Sequence, residues 1–274
     1  MCADYVLDSA IECERLERQA ALDGLERHLH HLPKHLRARV LDAGCGSGAM
    51  ARLMASSRPE WDIVGVDFNP EYVAYARTRG RADKLENLHF EQGDVRALQF
   101  ASASFDVVWS RFVLYFLPKP EEAIQEFRRV LKPDGEVVIA LHNWSTLINY
   151  PEDESLRLRR DRVFSSMADT YLAQKMPSIL SACGFSDISV SIELDRVYSA
   201  VGAIRTDGRQ NYAEVLNAGM KIAVQALGGK VEAEKFADRL GNSLGLACSV
   251  LRGGCGSVDG TGVRVGSGSA SERG

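Results

Sequence analysis

A carboxylate followed by glycines at alternate positions, Asp42-Ala43-Gly44-Cys45-Gly46-Ser47-Gly48, is the part of this 274-residue sequence most clearly built for chemistry. The apolar run Arg39 to Ala43 leads into it, and an apolar-periodic helix (Met50, Leu53, Met54) follows. Glycine is required where backbone turns with positive φ or where a ligand comes closer than a Cβ allows. Strand, glycine turn and helix form the first βα unit of a nucleotide-binding α/β sheet, with the ligand at the carboxyl end of the strand. An adenosine-containing cofactor is therefore expected. Gly44, Gly46 and Ala49 also fit the G-x-G-x-x-G/A fingerprint of dinucleotide sites. Asp42 tilts the choice, because its charge would repel a pyrophosphate and suit an amine or sulfonium. The alternative for Asp42 is a solvent-exposed turn acid.

A second carboxylate, Asp67, lies 19 residues beyond Gly48, the length of one helix and one strand, and so ends the neighbouring parallel strand. A carboxylate there can accept hydrogen bonds from the vicinal hydroxyls of a ribose. Phe68 either lies against an adenine face or packs in the core.

Asp42 to Gly48 resembles the glycine motif of class I S-adenosylmethionine-dependent methyltransferases. Other segments agree in order and spacing. Ile63-Val64-Gly65-Val66-Asp67 resembles the family's second strand, ending in the ribose-binding acid. Glu91-Gln92-Gly93-Asp94-Val95 resembles the segment whose Asp binds the adenine amino group, with Asp94 otherwise readable as a turn residue. Phe105-Asp106-Val107-Val108-Trp109-Ser110 is similar to the fourth strand, and Leu131-Lys132-Pro133-Asp134-Gly135-Glu136 to the turn into the fifth. The resemblance implies S-adenosyl-L-methionine as cofactor, held by Asp42, Gly44, Gly46, Gly48, Asp67, Phe68, Asp94, Val95 and Ser110. It also implies a small-molecule acceptor, as in the quinone-biosynthesis and natural-product branch of the family. Tyr5 and Arg15 stand where similar enzymes meet the methionine carboxylate. A nicotinamide-dependent oxidoreductase and an inactive cofactor-binding module are the alternatives.

Methyl transfer is an in-line displacement that asks for alignment, close approach and exclusion of water. A base helps only when the acceptor is a hydroxyl or an acidic carbon. His142, just past the fifth strand, and Tyr115, after the fourth, are the candidate catalytic residues. Many relatives carry a histidine where this chain has Phe116, so that role does not carry over. A lone histidine after a strand otherwise serves as a hydrogen-bonded packing residue.

The elements that must position these groups alternate. Strands are expected at about 38–43, 62–67, 88–92, 105–109 and 135–141, which implies a doubly wound, mostly parallel Rossmann-like α/β sheet with helices on both faces. Asn69 as N-cap and Pro70 in the first turn open a helix that stops at Gly80. Pro120, Glu121 and Glu122 open another, whose buried face holds Ala123, Ile124, Phe127, Val130 and Leu131. Residues 9–32 read as one amphipathic helix (Leu22, Leu25, Leu29, Leu32) ended by Pro33. It belongs to an N-terminal helical cap, 1–35, over a cofactor-binding domain, 36–195.

Within that domain, 142–165 is a lid and substrate insertion, whose run Arg157-Leu158-Arg159-Arg160-Asp161-Arg162 either grips an acidic acceptor or forms a solvated helix face. A helix at about 167–183 and a strand from Ile188 to Leu194 complete it. Two helices at 209–240 form a substrate-covering segment within 196–240. From Gly241 to Gly274 the chain has ten glycines and no aromatic residue. Leu244 to Leu251 supplies at most a weak final antiparallel strand, and Arg252 to Gly274 is expected to be disordered.

A net charge of −4 with 26% charged residues and no basic stripe argues against nucleic acid as a partner. No apolar run reaches the roughly 18 residues of a membrane span. The start lacks the charged and apolar regions of a secretory leader, and six cysteines without metal-type spacing suit a reducing cytoplasm. A homodimer is compatible with this composition. His28, His30, His31 and His35 crowd one stretch, but Pro33 interrupts them and no acid or cysteine matches their spacing. A solvated or lid-facing surface is expected there, and no metal.

Overall fold

The chain's computed structural model describes residues 9–148, 154–167, 169–194, 232 and 245–254. Its strands are β1 (Arg39–Ala43), β2 (Asp62–Asp67), β3 (Leu88–Gln92), β4 (Phe105–Arg111), β5 (Leu131–Ile148), β6 (Ser186–Leu194) and β7 (Gly245–Gly254). They form one seven-stranded sheet in the order β3-β2-β1-β4-β5-β7-β6. The first five strands run parallel, and β7 lies antiparallel between β5 and β6.

Alternation along the strands divides the core into layers. Leu41, Ala43, Val108, Val137 and Ile139 face α4 (Pro120–Val130) and α6 (Leu172–Ala182), through Ile124, Phe127, Met176 and Leu180. Val40, Ile63, Val107, Trp109 and Val138 face α2 (Ala49–Ser57) and α3 (Pro70–Ala82), through Met50, Met54, Val73 and Ala76. Each fully buried Phe or Leu in these layers contributes roughly 1.5–3 kcal/mol of stability.

The expected strands are all present, with boundary changes that have local causes. β5 begins at Leu131, opposite Phe105, but its next partnered residue is Glu136, so Lys132 to Gly135 bulge out as the turn read from the sequence. β5 then runs past Leu141 because β7 pairs it through Asn143. Asn69 caps α3 by accepting from the Glu71 amide at 2.9 Å, and Pro70 is its first residue. Gly80 does not stop that helix, which continues to Ala82. It is buried beneath Phe90, whose ring a Cβ would approach to 3.3 Å.

The single N-terminal helix divides at Gly24, which adopts φ 62°. Before it stands α1 (Ser9–Asp23), and after it a 3-10 segment, Leu25–His31. The helix expected at 167–183 begins later, at Leu172, because the Asp169 carboxylate accepts from the Tyr171 amide at 3.0 Å and holds an Asx turn. The arginine run lies on a separate helix, α5 (Glu154–Met167), with Arg157 and Arg162 exposed and Arg159 paired to Glu232. Exposure supports the solvated-face alternative for those two arginines.

The weak final strand is a full one. Arg252 to Gly254, expected to be disordered, belong to β7 because both of its edges find partners, and Arg252 also pairs with Glu136. Residues 255–274, Tyr5, and the helices expected at 209–240 apart from Glu232 lie outside the described residues. Among the described residues, no helix is long and apolar enough to cross a membrane.

Candidate cofactor and active site

The turn after β1 is pinned by its own backbone. The Gly44 and Cys45 amides both donate to the Val66 carbonyl, at 2.8 and 2.9 Å, which docks the turn on β2. Gly44 adopts φ 81°, and a Cβ there would lie 2.2 Å from Val113 Cγ2. Gly48, at φ 77°, is the N-cap of α2, and a Cβ would meet the Phe90 ring at 2.6 Å. The Gly46 amide donates to Asp67 Oδ2 at 2.8 Å, while the Asn69 amide donates to Asp67 Oδ1 at 3.0 Å. Burial raises the Asp67 pKa above its ordinary range, opposed by these amides. Each of its oxygens keeps a further lone pair for a hydroxyl donor.

Asp42 is not the solvent-exposed turn acid of the alternative reading. It sits within β1, opposite Gly65 and Trp109, and is 2% exposed. Its Oδ2 has no hydrogen-bond partner among the described residues. Burial, then the charge of Asp67, pushes its pKa up to about 7, against the pull of Arg111 and of the Ala51 amide, which donates to it. Phe68 is 67% exposed, which excludes core packing and leaves its ring facing outward at the end of β2.

Asp94 makes an Asx-turn contact. Its Oδ1 accepts from the Arg96 amide at 2.9 Å, and the Arg96 guanidinium grips both carboxylate oxygens, at 2.7 Å for Nη2 to Oδ2. That bond, above all, holds the Asp94 pKa below its ordinary value. The Val95 side chain is buried in the core. Ser110 is buried too, and its hydroxyl donates to the Ala43 carbonyl at 3.0 Å, bracing β4 against the end of β1.

The candidate catalytic residues fall in different layers. His142 is buried within β5, opposite Cys248 of β7, its ring stacked on Phe112 at 3.7 Å and 16°. Phe112 itself adopts φ 61°, an uncommon conformation for a bulky residue, with the Arg111 guanidinium 4.1 Å from its ring centre. Tyr115 is buried with Leu114 in a short 3-10 segment, Leu114–Phe116, within the layer that holds Ile124 and Phe127.

The cap lies over this region. A Gly46 Cβ would come within 3.2 Å of Leu16 on α1. Arg52 binds Glu17 of α1 at 2.7 Å, Asp83 at 3.0 Å and the Ser47 carbonyl at 3.0 Å. Arg15 is turned toward its own helix, donating to both Glu12 oxygens and to Gln19. His28 and His31 are buried rather than solvated as expected, with only His30 and His35 at the surface. Sequence reasoning grouped His28 with three other histidines on a solvated or lid-facing surface and did not single out Arg96. The signal for His28 was its place three residues after Leu25, on the apolar stripe.

A family model described as a methyltransferase domain matches residues 34–181, which includes every strand from β1 to β5. The chain belongs to the class I S-adenosylmethionine-dependent methyltransferases. Malonyl-[acyl-carrier protein] O-methyltransferase of Enterobacter lignolyticus is 37% identical over 120 residues, 44% of this chain and 43% of that protein. Demethylmenaquinone methyltransferase of Lactobacillus johnsonii is 35% identical over 102 residues, 36% of this chain and 42% of that protein. Both matches span under half of the relatives' own length. Among solved structures, the [4+2]-cyclase SpnF superposes with a TM-score of 0.58 at 21% identity, over 86% of this chain and 81% of that one.

Family membership, with an antiparallel β7 inside the sheet, replaces the nicotinamide-dependent alternative. S-adenosylmethionine is the family's cofactor, and the methyltransferase domain has residues that fit it. Among the described residues Asp42 Oδ2 is a buried carboxylate oxygen without a hydrogen-bond partner, beside a turn closed to a side chain at Gly44, which suits a cationic nucleoside.

Proposed function

We propose that this chain transfers the methyl group of S-adenosylmethionine to a small-molecule acceptor. The observation that carries the reading is the joining of the glycine turn to Asp67 beside the buried, unpartnered oxygen of Asp42. The cofactor supplies an electrophilic methyl on a sulfonium, and the protein's task is to hold it and shield it.

Asp67 receives the ribose hydroxyls with the lone pairs its amide bonds leave over. Phe68, exposed at the end of β2, covers the adenine face. Asp94 and the main chain of Val95 meet the adenine edge, with Arg96 fixing the Asp94 carboxylate in place. Asp42 balances the positive charge of the amino-acid end, and Gly44, Gly46 and Gly48 let the backbone approach it. Ser110 acts indirectly, through the Ala43 carbonyl. The α1 cap, tied through Glu17 and Arg52, excludes water from the reacting centre. His142 is the candidate base at the acceptor, oriented by its stack on Phe112, and Tyr115 shapes the wall after β4.

One of these relatives is named for a demethylmenaquinone, which supports a small-molecule acceptor. A screen of metabolites with a methyl-labelled donor tests the reading. Transfer of label to at least one small molecule is expected, and transfer to protein or nucleic acid alone contradicts it.

A further inference from the structure

His28 and Trp109 are both 0% exposed, and neither ring nitrogen of His28 nor the indole nitrogen of Trp109 has a hydrogen-bond partner among the described residues. Their ring centres are 5.8 Å apart, joining the 3-10 segment Leu25–His31 to β4. Trp109 is also the cross-strand neighbour of Asp42, whose Oδ2 is likewise buried and without a partner. Folded interiors satisfy nearly all of their buried polar groups. Orphans on three neighbouring side chains therefore mark a place where something polar binds.

The chemistry of the pair is specific. An indole N–H only donates, whereas a neutral imidazole donates at one nitrogen and accepts at the other. His28 stays neutral, because burial, then the charge of Arg111, pushes its pKa down to about 3. A hydroxyl satisfies both partners, its oxygen accepting from the indole and its hydrogen going to the imidazole. A carboxylate can accept from both rings but leaves the acceptor nitrogen of the imidazole unmet, and an ammonium has no lone pair for the indole N–H. Either ion would also lose its hydration in a layer that includes Leu25, Val107 and Val138.

We propose that His28 and Trp109 are the acceptor-recognition pair of the active site, and that the acceptor is an uncharged molecule bearing a hydroxyl group. This rests on the methyltransferase reading and deepens it by naming the class of acceptor. The cross-strand pairing of Trp109 with Asp42 sets the hydroxyl beside the cationic end of the cofactor. Since both side chains are fully buried, the acceptor enters when the 3-10 segment lifts about Gly24, the left-handed joint to α1.

Nitrogen-resolved NMR of the chain loaded with S-adenosylhomocysteine tests the pair directly. Of the three tryptophans, Trp61 donates to the His35 carbonyl at 3.1 Å and serves as an internal control. Trp109→Phe and Trp144→Phe variants assign the indole signals. Phenol is expected to shift the Trp109 indole resonance and leave Trp61 in place, while benzoate and benzylamine leave both in place. His28→Phe is expected to weaken phenol binding about tenfold, as loss of one buried hydrogen bond does. The proposal is overturned if phenol moves Trp109 no more than the charged probes do, the result expected where internal water alone satisfies the pair. It is equally overturned by an undiminished phenol response in a folded His28→Phe. Should that variant fail to fold, the ranking of the probes on the unsubstituted chain decides. A chain that binds no S-adenosylhomocysteine contradicts the underlying reading, whereas one that binds it and ignores phenol contradicts only the pair.

Discussion

The Gly46 amide donates to Asp67 Oδ2 at 2.8 Å, so the turn that ends β1 and the acid that ends β2 are a single unit. With the Asn69 amide on Oδ1, this carboxylate fixes the glycine turn, the end of β2 and the start of α3 together. Asp67→Asn keeps the shape but turns one acceptor into a donor that faces a backbone N–H. Affinity for S-adenosylhomocysteine, measured by calorimetry, is expected to fall at least about tenfold, the loss of one hydrogen bond to a charged group. Hydrogen exchange at the Gly46 amide is expected to quicken in the same variant.

The close packing of Gly44 against Val113 yields a paired test. Gly44→Ala places a methyl 2.2 Å from Val113 Cγ2 and imposes φ 81° on an L residue, a conformation that costs about 1–2 kcal/mol by itself. Lower thermal stability and weaker cofactor binding are expected. Adding Val113→Ala relieves the contact but not the backbone, so the double variant recovers only part of the loss. Full recovery would show that the backbone conformation carries no cost.

Asp42 makes cofactor binding and stability respond to pH in opposite senses. Its pKa rises from 3.8 to about 7 in the folded chain, so between those values the folded state holds more protons than the unfolded state. The contribution of Asp42 to folding stability is therefore greatest at the acid end of that window and declines as pH rises through it, by up to about 1.4 kcal/mol per pH unit. Ionised Asp42 attracts the cofactor's cationic end, so affinity for S-adenosylmethionine rises as pH climbs through about 7. Asp42→Asn is expected to flatten both profiles, checked by denaturant titration and calorimetry across the range.

Arg52 joins α1, the glycine turn and the end of α3 through Glu17, the Ser47 carbonyl and Asp83. A lysine carries the charge but not the planar fork that reaches several partners at once. Arg52→Lys is expected to expose α1 to limited proteolysis several-fold faster, with the sheet still folded by circular dichroism. Unchanged cleavage would show that apolar contacts such as Leu16 hold the cap alone.

The sheet was legible because its parallel strands are buried on both faces and read as apolar runs, as in Ile63-Val64-Gly65-Val66. Asp67 was legible from spacing, since one helix and one strand fix where the next carboxyl end must fall. The N-terminal break was not, because Leu25, Leu29 and Leu32 keep helical spacing straight through Gly24 while the backbone turns left-handed there. The hold of Arg96 on Asp94 and the tilted rings of His28 and Trp109 depend on side-chain directions that periodicity does not encode. β7 was underestimated because its glycines predict a poor strand. Its stability comes from ladder partners on both edges, and a Gly253 Cβ would come within 3.3 Å of Phe185.

Calorimetric titration of the purified chain with S-adenosylhomocysteine, alongside NADH, tests the central claim most directly. Saturable heat with the nucleoside thioether and none with the dinucleotide is the predicted result. Absence of heat with S-adenosylhomocysteine, or preference for NADH, would contradict the account.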